Sequence, residues 1–528
     1  MFFSIILLGV LCAIATSTPL DDWVWAPDDH YGWYDTGVKI NGSYESCTYT
    51  AVIVPNPLRF TRNATLWIVG GHQDNTLPGN IFEQNPTNMN RSLSMACMLG
   101  MITGVLFQVP NQNVPNQNVI FSSDPIQEVR DEDAVIAFTW RHFIDDPTDP
   151  NWLVRFPMVK APILAMDTIT AFVSQNLGEL GCQLDYYSVM GESKRGWTTW
   201  LVGAVDPSRV KLIIPIVLDA INFVAVEHHE YRSYGAWSYA LDDYIAQGLA
   251  QRFDGSNMKL LQQMEDPYFY LDRLVMPKLI VNAAMDEIQQ PDDSHYWWDA
   301  CPEPKHFLLV PNAEHEMTLN YDAGWYYVLP SIAAFVKGHV MNKPIPTFTW
   351  NISNSTGEIV ATVNFDGEIH EANVWWALSC GFNSWDGNKT RRDYRMAHMD
   401  NPCYCGRVDN SSDPPMCINL AALWSKEQVQ PAIVNGKRVY SAQFPKPDPG
   451  RWIAFFIAFK FYNPDPEFIY DLSHFEQPKS LKHHYISLFG ETPDNREGYL
   501  TFNTEVSIWP AEFPYEDCNG PSCGNREV

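Results

Sequence analysis

Residues 184–197, LDYYSVMGESKRGW, carry the strongest fold signal in this sequence. The apolar, aromatic and β-branched run at 184–190 predicts a buried strand. Gly191, Glu192 and Ser193 follow as a sharp turn, and residues 198–205 (TTWLVGAV) are compatible with a helix. A serine on a tight strand-to-helix turn is exposed at the end of the strand, where it can attack a substrate. We therefore predict that Ser193 is a nucleophile; an ordinary turn serine is the alternative.

Short apolar runs separated by helix-length segments extend on both sides of this turn. They predict an α/β fold with a mostly parallel sheet, because parallel strands need long crossover connections. The predicted strands are 66–70, 101–109, 184–190, 211–218, 278–284 and 307–310.

Three further segments complete the predicted organisation. Residues 1–18 predict a signal peptide, since a short apolar run ends in small residues; an uncleaved anchor is the alternative. Residues 19–340 form the predicted α/β domain, and the aromatic-rich stretch at 220–276 is predicted to be a helical lid insertion. After a proline-containing linker, residues 341–528 alternate in β-favouring runs and predict a β-sandwich-like domain.

An acid and a histidine follow two later predicted strands. Asp286 comes just after 278–284, and His315 comes just after 307–310. The order Ser, Asp, His, each past a strand, is that of α/β-hydrolases. We predict that His315 takes the Ser193 proton and that Asp286 orients it; a structural loop histidine is the alternative. The rival acids are Glu287, Asp292, Asp293 and Asp219.

Other residues are candidates for binding roles. The backbone N–H of Lys194 and a donor near Gly71 or His72 are predicted to form the oxyanion hole. Arg195 either binds a substrate carboxylate or is a salt-bridged packing residue. The lid side chains either line a substrate pocket or form a packed aromatic cluster, and they are His228, His229, Tyr231 and Trp237. No cofactor and no metal site is predicted.

Charge narrows the range of partners. Of 528 residues, 35 are Lys or Arg and 62 are Asp or Glu, so the net charge is 35 − 62 = −27. This argues against a nucleic-acid partner, because phosphate neutralisation needs a basic face. No stretch after the signal peptide reaches about 18 apolar residues, so no membrane span is predicted in the mature chain.

Cysteines and sequons predict a secreted, extracellular glycoprotein. Four of the ten cysteines that follow the signal peptide precede residue 340 and six follow it, so both groups allow internal disulfides. Cys518 and Cys523 are the best local pair. The Asn-x-Ser/Thr sites that predict glycosylation are Asn41, Asn63, Asn90, Asn351, Asn354, Asn388 and Asn410.

Several long motifs resemble one family. They include residues 191–200 (GESKRGWTTW), 234–244 (YGAWSYALDDY), 291–297 (PDDSHYW) and 311–315 (PNAEH). Over about residues 20–400 the chain resembles the PhoPQ-activated pathogenicity-related proteins, and in particular their secreted autocrine proliferation repressor branch. The resemblance implies an α/β-hydrolase fold followed by a small β-domain, with the family's serine at Ser193, its histidine at His315 and its acid at Asp286.

Two functions remain open. The first is a secreted serine hydrolase that cleaves a peptide or an ester. The second is a secreted autocrine signalling protein that represses proliferation, with the hydrolase fold as a binding scaffold and a cell-surface receptor as partner. The function resides in the site rather than in the fold, so the fold alone does not choose between them.

Overall fold

The computed structural model describes residues 17–29, 31–33, 35, 42–44, 47–50, 54–56, 59–70, 86–110, 130–317, 319–381, 390–399, 402–410, 414–463, 489 and 499–524. The predicted signal peptide, apart from its last two residues, lies outside this part of the chain.

A parallel sheet forms the centre of the described residues. A small antiparallel sheet precedes it, with strands β1 (Gly42–Tyr44), β2 (Cys47–Thr50) and β3 (Val54–Asn56). The central strands are β4 (Phe60–Ile68), β5 (Met101–Leu106), β6 (Tyr186–Glu192), β7 (Val210–Ile216), β8 (Lys278–Ala283) and β9 (Lys305–Val310). They lie in the order β5-β4-β6-β7-β8-β9, and every neighbouring pair is parallel. The prediction of a mostly parallel α/β sheet is confirmed.

Helices cover the sheet. They are α1 (Pro19–Trp25), α2 (Pro86–Leu99), α3 (Glu132–Asp145), α4 (Arg155–Leu177), α5 (Lys194–Val205), α6 (Phe223–Tyr234), α7 (Asp242–Ala246), α8 (Ser256–Glu265) and α9 (Leu319–Val340). Every residue of α5 after its first is buried, since this helix follows β6 directly and lies between the sheet and α4. A helix that is apolar on all sides is suited to such a buried position.

Helix α4 is the one described helix that is long and apolar enough to span a membrane by length and composition. Of its most apolar window, 44% is buried inside the protein. Its first residue, Arg155, is buried and donates a hydrogen bond to the Lys194 carbonyl oxygen over 2.9 Å.

The stretch predicted as a lid is helical. It contains α6, α7 and α8, together with short 3-10 turns at Tyr239–Leu241, Ala250–Arg252 and Pro267–Arg273. No strand occurs between residues 220 and 276, all of which the structure describes.

The chain after α9 forms antiparallel sheets. Its strands are β10 (Phe348–Ile352), β11 (Ile359–Val363), β12 (Ile369–Leu378), β13 (Ala397–His398), β14 (Gly406–Asp409), β15 (Met416–Asn419), β16 (Ser425–Gln428), β17 (Ala432–Val434), β18 (Lys437–Ala442), β19 (Ile453–Phe461), β20 (Leu500–Asn503) and β21 (Ser507–Trp509). Strand β20 packs beside β9, where the Asn503 side chain accepts a hydrogen bond from the Leu309 backbone over 2.6 Å. The two parts of the chain are therefore joined through buried polar contacts as well as apolar packing.

All six cysteines after residue 340 form disulfides with one another, in agreement with the predicted grouping. The bonded pairs there are Cys380–Cys405, Cys403–Cys417 and Cys518–Cys523. The predicted pair Cys518–Cys523 is confirmed. Before residue 340, Cys97 is disulfide-bonded, but Cys182 and Cys301 are buried free thiols.

Candidate active site

Ser193 lies at a strained turn between β6 and α5. Strand β6 ends at Glu192, α5 begins at Lys194, and Ser193 between them has φ 55° and ψ −127°. Such a conformation is costly for a residue with a side chain and persists only where the surroundings enforce it. The Ser193 backbone N–H donates to the Ile216 carbonyl oxygen of β7 over 2.8 Å, which anchors the turn to the sheet.

Two glycines allow this turn. A Cβ atom at Gly191 would lie 2.8 Å from the Arg195 carbonyl oxygen, and one at Gly196 would lie 2.9 Å from the Ile216 carbonyl oxygen. Both distances are shorter than a side chain tolerates, so strand, turn and helix approach closely only with glycine at these positions. This explains why the second glycine of the motif stands three residues after Ser193.

His315 and Asp286 meet at the ends of β9 and β8. Their side chains are joined by a hydrogen bond of 2.7 Å between His315 Nδ1 and Asp286 Oδ2. The other oxygen of Asp286 accepts from the backbone N–H of Ile288 at 2.7 Å and of Gln289 at 3.2 Å. His315 Nε2 is buried and has no hydrogen-bond partner among the described residues. One ring nitrogen is therefore oriented by a carboxylate, and the other is left for a reacting group.

Charges near His315 favour its protonated form. Burial lowers the pKa of His315, but the charge and hydrogen bond of Asp286, together with the charge of Glu287, raise it, and the net pKa is above the ordinary 6.5. The neighbouring Glu287 accepts a hydrogen bond from the His315 backbone N–H over 3.1 Å. Burial and the Asp286 charge raise the pKa of Glu287 to about 8, so this carboxyl is mostly protonated at neutral pH.

The two cations after Ser193 are held by acidic residues of α3. Arg195 donates from both terminal nitrogens to the Glu132 carboxylate, at 2.7 Å each, and from Nε to the Val109 carbonyl oxygen. Lys194 Nζ lies 2.7 Å from Asp133 Oδ2 and 2.9 Å from Glu132 Oε2. Although burial raises the pKa of Glu132, these cations lower it to about 2. The structure thus places Arg195 in a partly buried ion pair with Glu132.

Only one of the predicted oxyanion-hole donors, the Lys194 backbone N–H, belongs to the described residues. The Lys194 backbone N–H lies in the first turn of α5, where helix N–H groups have no partner within the helix and can bind an anion. Gly71 and His72 lie outside the described residues.

A pocket opens beside Ser193 under the helical stretch. About 690 Å³ of space free of protein atoms lies within it, and part of this space is open to solvent. Its walls are mainly apolar and aromatic, and its lining residues are Asp133, Trp140, Arg155, Ser193, Lys194, Trp197, Leu218, Ala220, Phe223, Glu227, Ala240, Leu241, Tyr244, Ile245, Phe253, Ile288 and Gln289. Residues 220–276 therefore supply much of the pocket wall.

Three of the lid residues predicted to bind substrate contact the C-terminal segment. Trp237 Nε1 donates to the Cys523 carbonyl oxygen over 3.0 Å, and the Tyr231 hydroxyl donates to the Ser522 carbonyl oxygen over 3.3 Å. His228 contacts Asp517 at 2.8 Å and Asp254 at 3.2 Å. None of the three lines the described pocket.

The fourth, His229, belongs to a buried polar network. Its Nδ1 lies 2.6 Å from Asp293 Oδ1, and its Nε2 lies 3.1 Å from an Arg392 nitrogen. Burial lowers the pKa of His229 to about 4, so the ring is neutral at pH 7. Two of the rival acids, Asp292 and Asp293, surround this histidine. A third, Asp219, accepts a hydrogen bond from Trp297 Nε1 over 2.7 Å.

Metal-ligating side chains come together at one place among the described residues. His228, Asp517 and Cys518 are close enough there to share an ion. Cys518 is bonded to Cys523 and therefore offers no thiolate. Among the predicted glycosylation sites, Asn351, Asn354 and Asn410 are exposed, Asn63 is partly buried in β4, and Asn90 lies in α2. Asn41 and Asn388 lie outside the described residues.

The sequence reading missed the residues that do line the pocket, chiefly Trp140, Tyr244 and Glu227. The residue spacing along α6 indicates which side chains share a face of this helix. Phe223 and Glu227 are four residues apart and share a helix face, whereas His228 and Tyr231 are three apart and share another. The first face lines the pocket, and the second contacts the C-terminal segment.

A serine on a strained turn after a central parallel strand, with a histidine–aspartate pair at the ends of two later strands, defines the α/β-hydrolase class of fold. The chain belongs to the family of PhoPQ-activated pathogenicity-related proteins, whose family model matches residues 48–395. This confirms the resemblance seen in the sequence.

Individual proteins are also similar. The autocrine proliferation repressor protein A of Dictyostelium discoideum is 32% identical over 99% of this chain and 96% of that protein. An esterase of Pyrobaculum calidifontis has a TM-score of 0.32 and 15% identity, and the match covers 61% of this chain and 89% of the esterase. An S-formylglutathione hydrolase of Agrobacterium tumefaciens has a TM-score of 0.32 and 15% identity, covering 58% of this chain and 95% of that chain.

Proposed function

We propose that the protein is a secreted serine hydrolase that cleaves an ester or peptide bond with Ser193, His315 and Asp286. The observation that carries the proposal is the strained Ser193 turn together with the 2.7 Å bond between His315 Nδ1 and Asp286. Strain of this kind is stored where function requires it, and the paired histidine keeps its second nitrogen unoccupied.

Each residue has a chemical role in this proposal. Ser193 Oγ bonds to the substrate carbonyl carbon while its proton passes to His315 Nε2. His315 then gives that proton to the departing alcohol or amine as the carbonyl–heteroatom bond breaks. Water repeats both steps to release the acid and restore Ser193. Asp286 remains ionised throughout and holds the imidazole, and the Lys194 backbone N–H stabilises the oxyanion.

Secretion is supported by the chemistry of the second part of the chain. Its three disulfides are typical of oxidising compartments and rare in the cytosol. The name of the Dictyostelium relative, an autocrine protein, agrees with an extracellular site of action. The exposed sequons at Asn351, Asn354 and Asn410 are accessible to glycosylation.

A fluorophosphonate probe tests the nucleophile without knowledge of the substrate. We expect wild-type protein purified from medium to be labelled covalently, because an activated serine attacks the phosphorus centre. Ser193→Ala and His315→Ala should lose labelling. Ser188→Ala is the matched control, since Ser188 lies on β6, the strand that leads to Ser193, but does not line the pocket, and it should be labelled like wild type. An unlabelled but folded wild-type protein would refute the hydrolase proposal.

The 32% identity to a protein named as a proliferation repressor favours a second function. In that proposal the protein represses proliferation of the cells that secrete it and acts through a cell-surface receptor. The two functions are compatible, because a hydrolase can also act as a signal.

A growth assay distinguishes the two functions. We expect wild-type protein added to growing cells to slow their division, and Ser193→Ala to be equally effective if the fold acts as a scaffold. The cell-doubling time is the measurement, with heat-denatured protein as control. Loss of repression in Ser193→Ala would assign the growth effect to catalysis instead.

A further inference from the structure

Asn312 lies on the loop that leads from β9 to His315. Strand β9 ends at Val310, and Asn312 follows two residues later with φ 57°. It is buried. Asparagine tolerates this left-handed backbone conformation better than most residues that carry a side chain. The backbone alone therefore accounts for an asparagine or a glycine at this position, but it does not account for the contacts of the Asn312 side chain.

The Asn312 side-chain amide binds the chain that follows α9 through both of its polar atoms. Oδ1 accepts a hydrogen bond from the Trp424 backbone N–H over 2.7 Å, and Nδ2 donates to the Trp424 carbonyl oxygen over 2.9 Å. Because hydrogen bonds are directional, a pair of them to one residue fixes orientation as well as distance. Trp424 is buried and directly precedes β16. The His315 loop is therefore attached to a segment 112 residues further along the chain.

The loop that carries Asp286 is attached to the same part of the chain. The Met285 carbonyl oxygen accepts a hydrogen bond from the Met396 backbone N–H over 2.8 Å, and Met396 directly precedes β13. The Met285 backbone N–H donates to the Ala313 carbonyl oxygen over 3.0 Å. The loops of the histidine and of the aspartate are thus joined to each other, and each is joined to the chain after α9.

The segment that ends at Trp424 is itself held in place. It follows β15, in which Cys417 is bonded to Cys403. The buried side chain of Asn419 accepts hydrogen bonds from two backbone N–H groups between β15 and Trp424, at 3.1 Å and 3.3 Å. A segment fixed by a disulfide and by buried hydrogen bonds can hold a neighbouring loop, whereas a loose segment would only follow it.

We propose that Asn312 is a positioning residue for the reaction at Ser193, through which the chain after α9 sets the orientation of the His315–Asp286 pair. Asn312 does not line the described pocket, so it acts through His315 and not on the substrate. The effect on catalysis rests on the proposed function, whereas the hold on the His315–Asp286 pair does not. The antiparallel sheets after α9 are thereby a working part of the candidate active site.

Asn312→Gly tests this role, because it removes both hydrogen bonds and keeps a residue that accepts φ 57°. We expect kcat for 4-nitrophenyl butyrate to fall by about 10- to 100-fold, since a catalytic group misplaced by about 1 Å causes a loss of this size. KM should stay unchanged, because the pocket is intact. The low-pH inflection of the rate profile should move to lower pH, because a loosened Asp286 stabilises the imidazolium less.

Two further variants control for the backbone. Asn312→Ala removes the same two bonds without the added freedom of glycine, and it should also lose kcat at constant KM. Asn435→Gly is the matched control, since Asn435 also has a positive φ, of 51°, but lies in the exposed turn between β17 and β18. It should keep the wild-type values. If either Asn312 variant is folded by urea unfolding and also keeps them, the positioning role is refuted.

Proton NMR separates this inference from the proposed function. The proton between His315 Nδ1 and Asp286 Oδ2 should give a resonance far downfield of the amide region in wild type, and Asp286→Asn should lack it. In Asn312→Gly this resonance should weaken or vanish, because a loosened pair exchanges its proton with water faster. If that happens but wild type neither cleaves the ester nor reacts with the fluorophosphonate, the hydrolase is refuted and the hold on the pair stands. An unchanged resonance in folded Asn312→Gly, or none in wild type, would refute the positioning role.

Discussion

Asp286→Asn should lower kcat for hydrolysis of 4-nitrophenyl butyrate by about 10⁴-fold. The structure fixes how the new amide would lie. The backbone N–H groups of Ile288 and Gln289 both donate to Asp286 Oδ1, so the amide oxygen would take that position. The NH₂ group would then face His315 Nδ1, and it would force the ring proton onto Nε2. A histidine protonated at Nε2 cannot accept the Ser193 proton.

Glu287→Gln is the matched control for this experiment. Glu287 lies beside Asp286 and accepts from the His315 backbone, but at neutral pH it is mostly protonated because its pKa is raised to about 8. Glutamine therefore preserves both its charge state and its acceptor oxygen, and kcat should change by less than about tenfold. A fall in Glu287→Gln as large as that in Asp286→Asn would transfer the orienting role to Glu287.

The pH profile gives an independent check of the same pair. Because the pKa of His315 is raised, kcat/KM should fall as the pH drops below a value that lies above 6.5. In Asp286→Asn the stabilising carboxylate is absent and burial remains, so the inflection of the residual activity should move to lower pH. An unmoved inflection would show that another group controls the profile.

Local sequence predicted the strand, the turn and the helix at Ser193. The strand, the turn and the helix are consecutive in the chain, and Asp286 and His315 follow their own strands directly. Parallel strands bring their carboxyl ends to one edge of a sheet. Residues placed just past those ends therefore lie at the same edge of the sheet, whatever the details of the connecting helices.

Contacts between distant parts of the chain could not be predicted in this way. Trp237 and Tyr231 lie in an aromatic stretch near the site, but they contact a C-terminal loop 286 and 291 residues away. Arg195 is paired with Glu132, 63 residues earlier. A single sequence does not show which distant residues contact one another. The composition of the helical stretch also did not show which face of α6 lines the pocket.

Arg392→Met should destabilise the protein by about 3–5 kcal/mol, since it leaves a buried carboxylate without its cation. Arg392 and Asp292 form an ion pair in which the side chains are only 3% and 6% exposed. The same guanidinium contacts His229 and lies 4.5 Å from the centre of the Phe513 ring. The Arg392 side chain therefore connects α6, the loop after β8 and the C-terminal segment. Urea unfolding of the full chain measures the loss of stability in Arg392→Met.

Two further variants distinguish the effect of an uncompensated charge from the effect of lost side-chain packing. Arg62→Met is the exposed control: Arg62 pairs with Asp185 but is 64% exposed, so its loss should cost less than about 1 kcal/mol. The double variant Arg392→Met/Asp292→Leu removes the uncompensated carboxylate and should be more stable than Arg392→Met alone. If the double variant is less stable than the single one, Asp292 is still stabilised by other groups, such as His229 Nε2 at 3.4 Å, and an uncompensated carboxylate does not explain the loss in Arg392→Met.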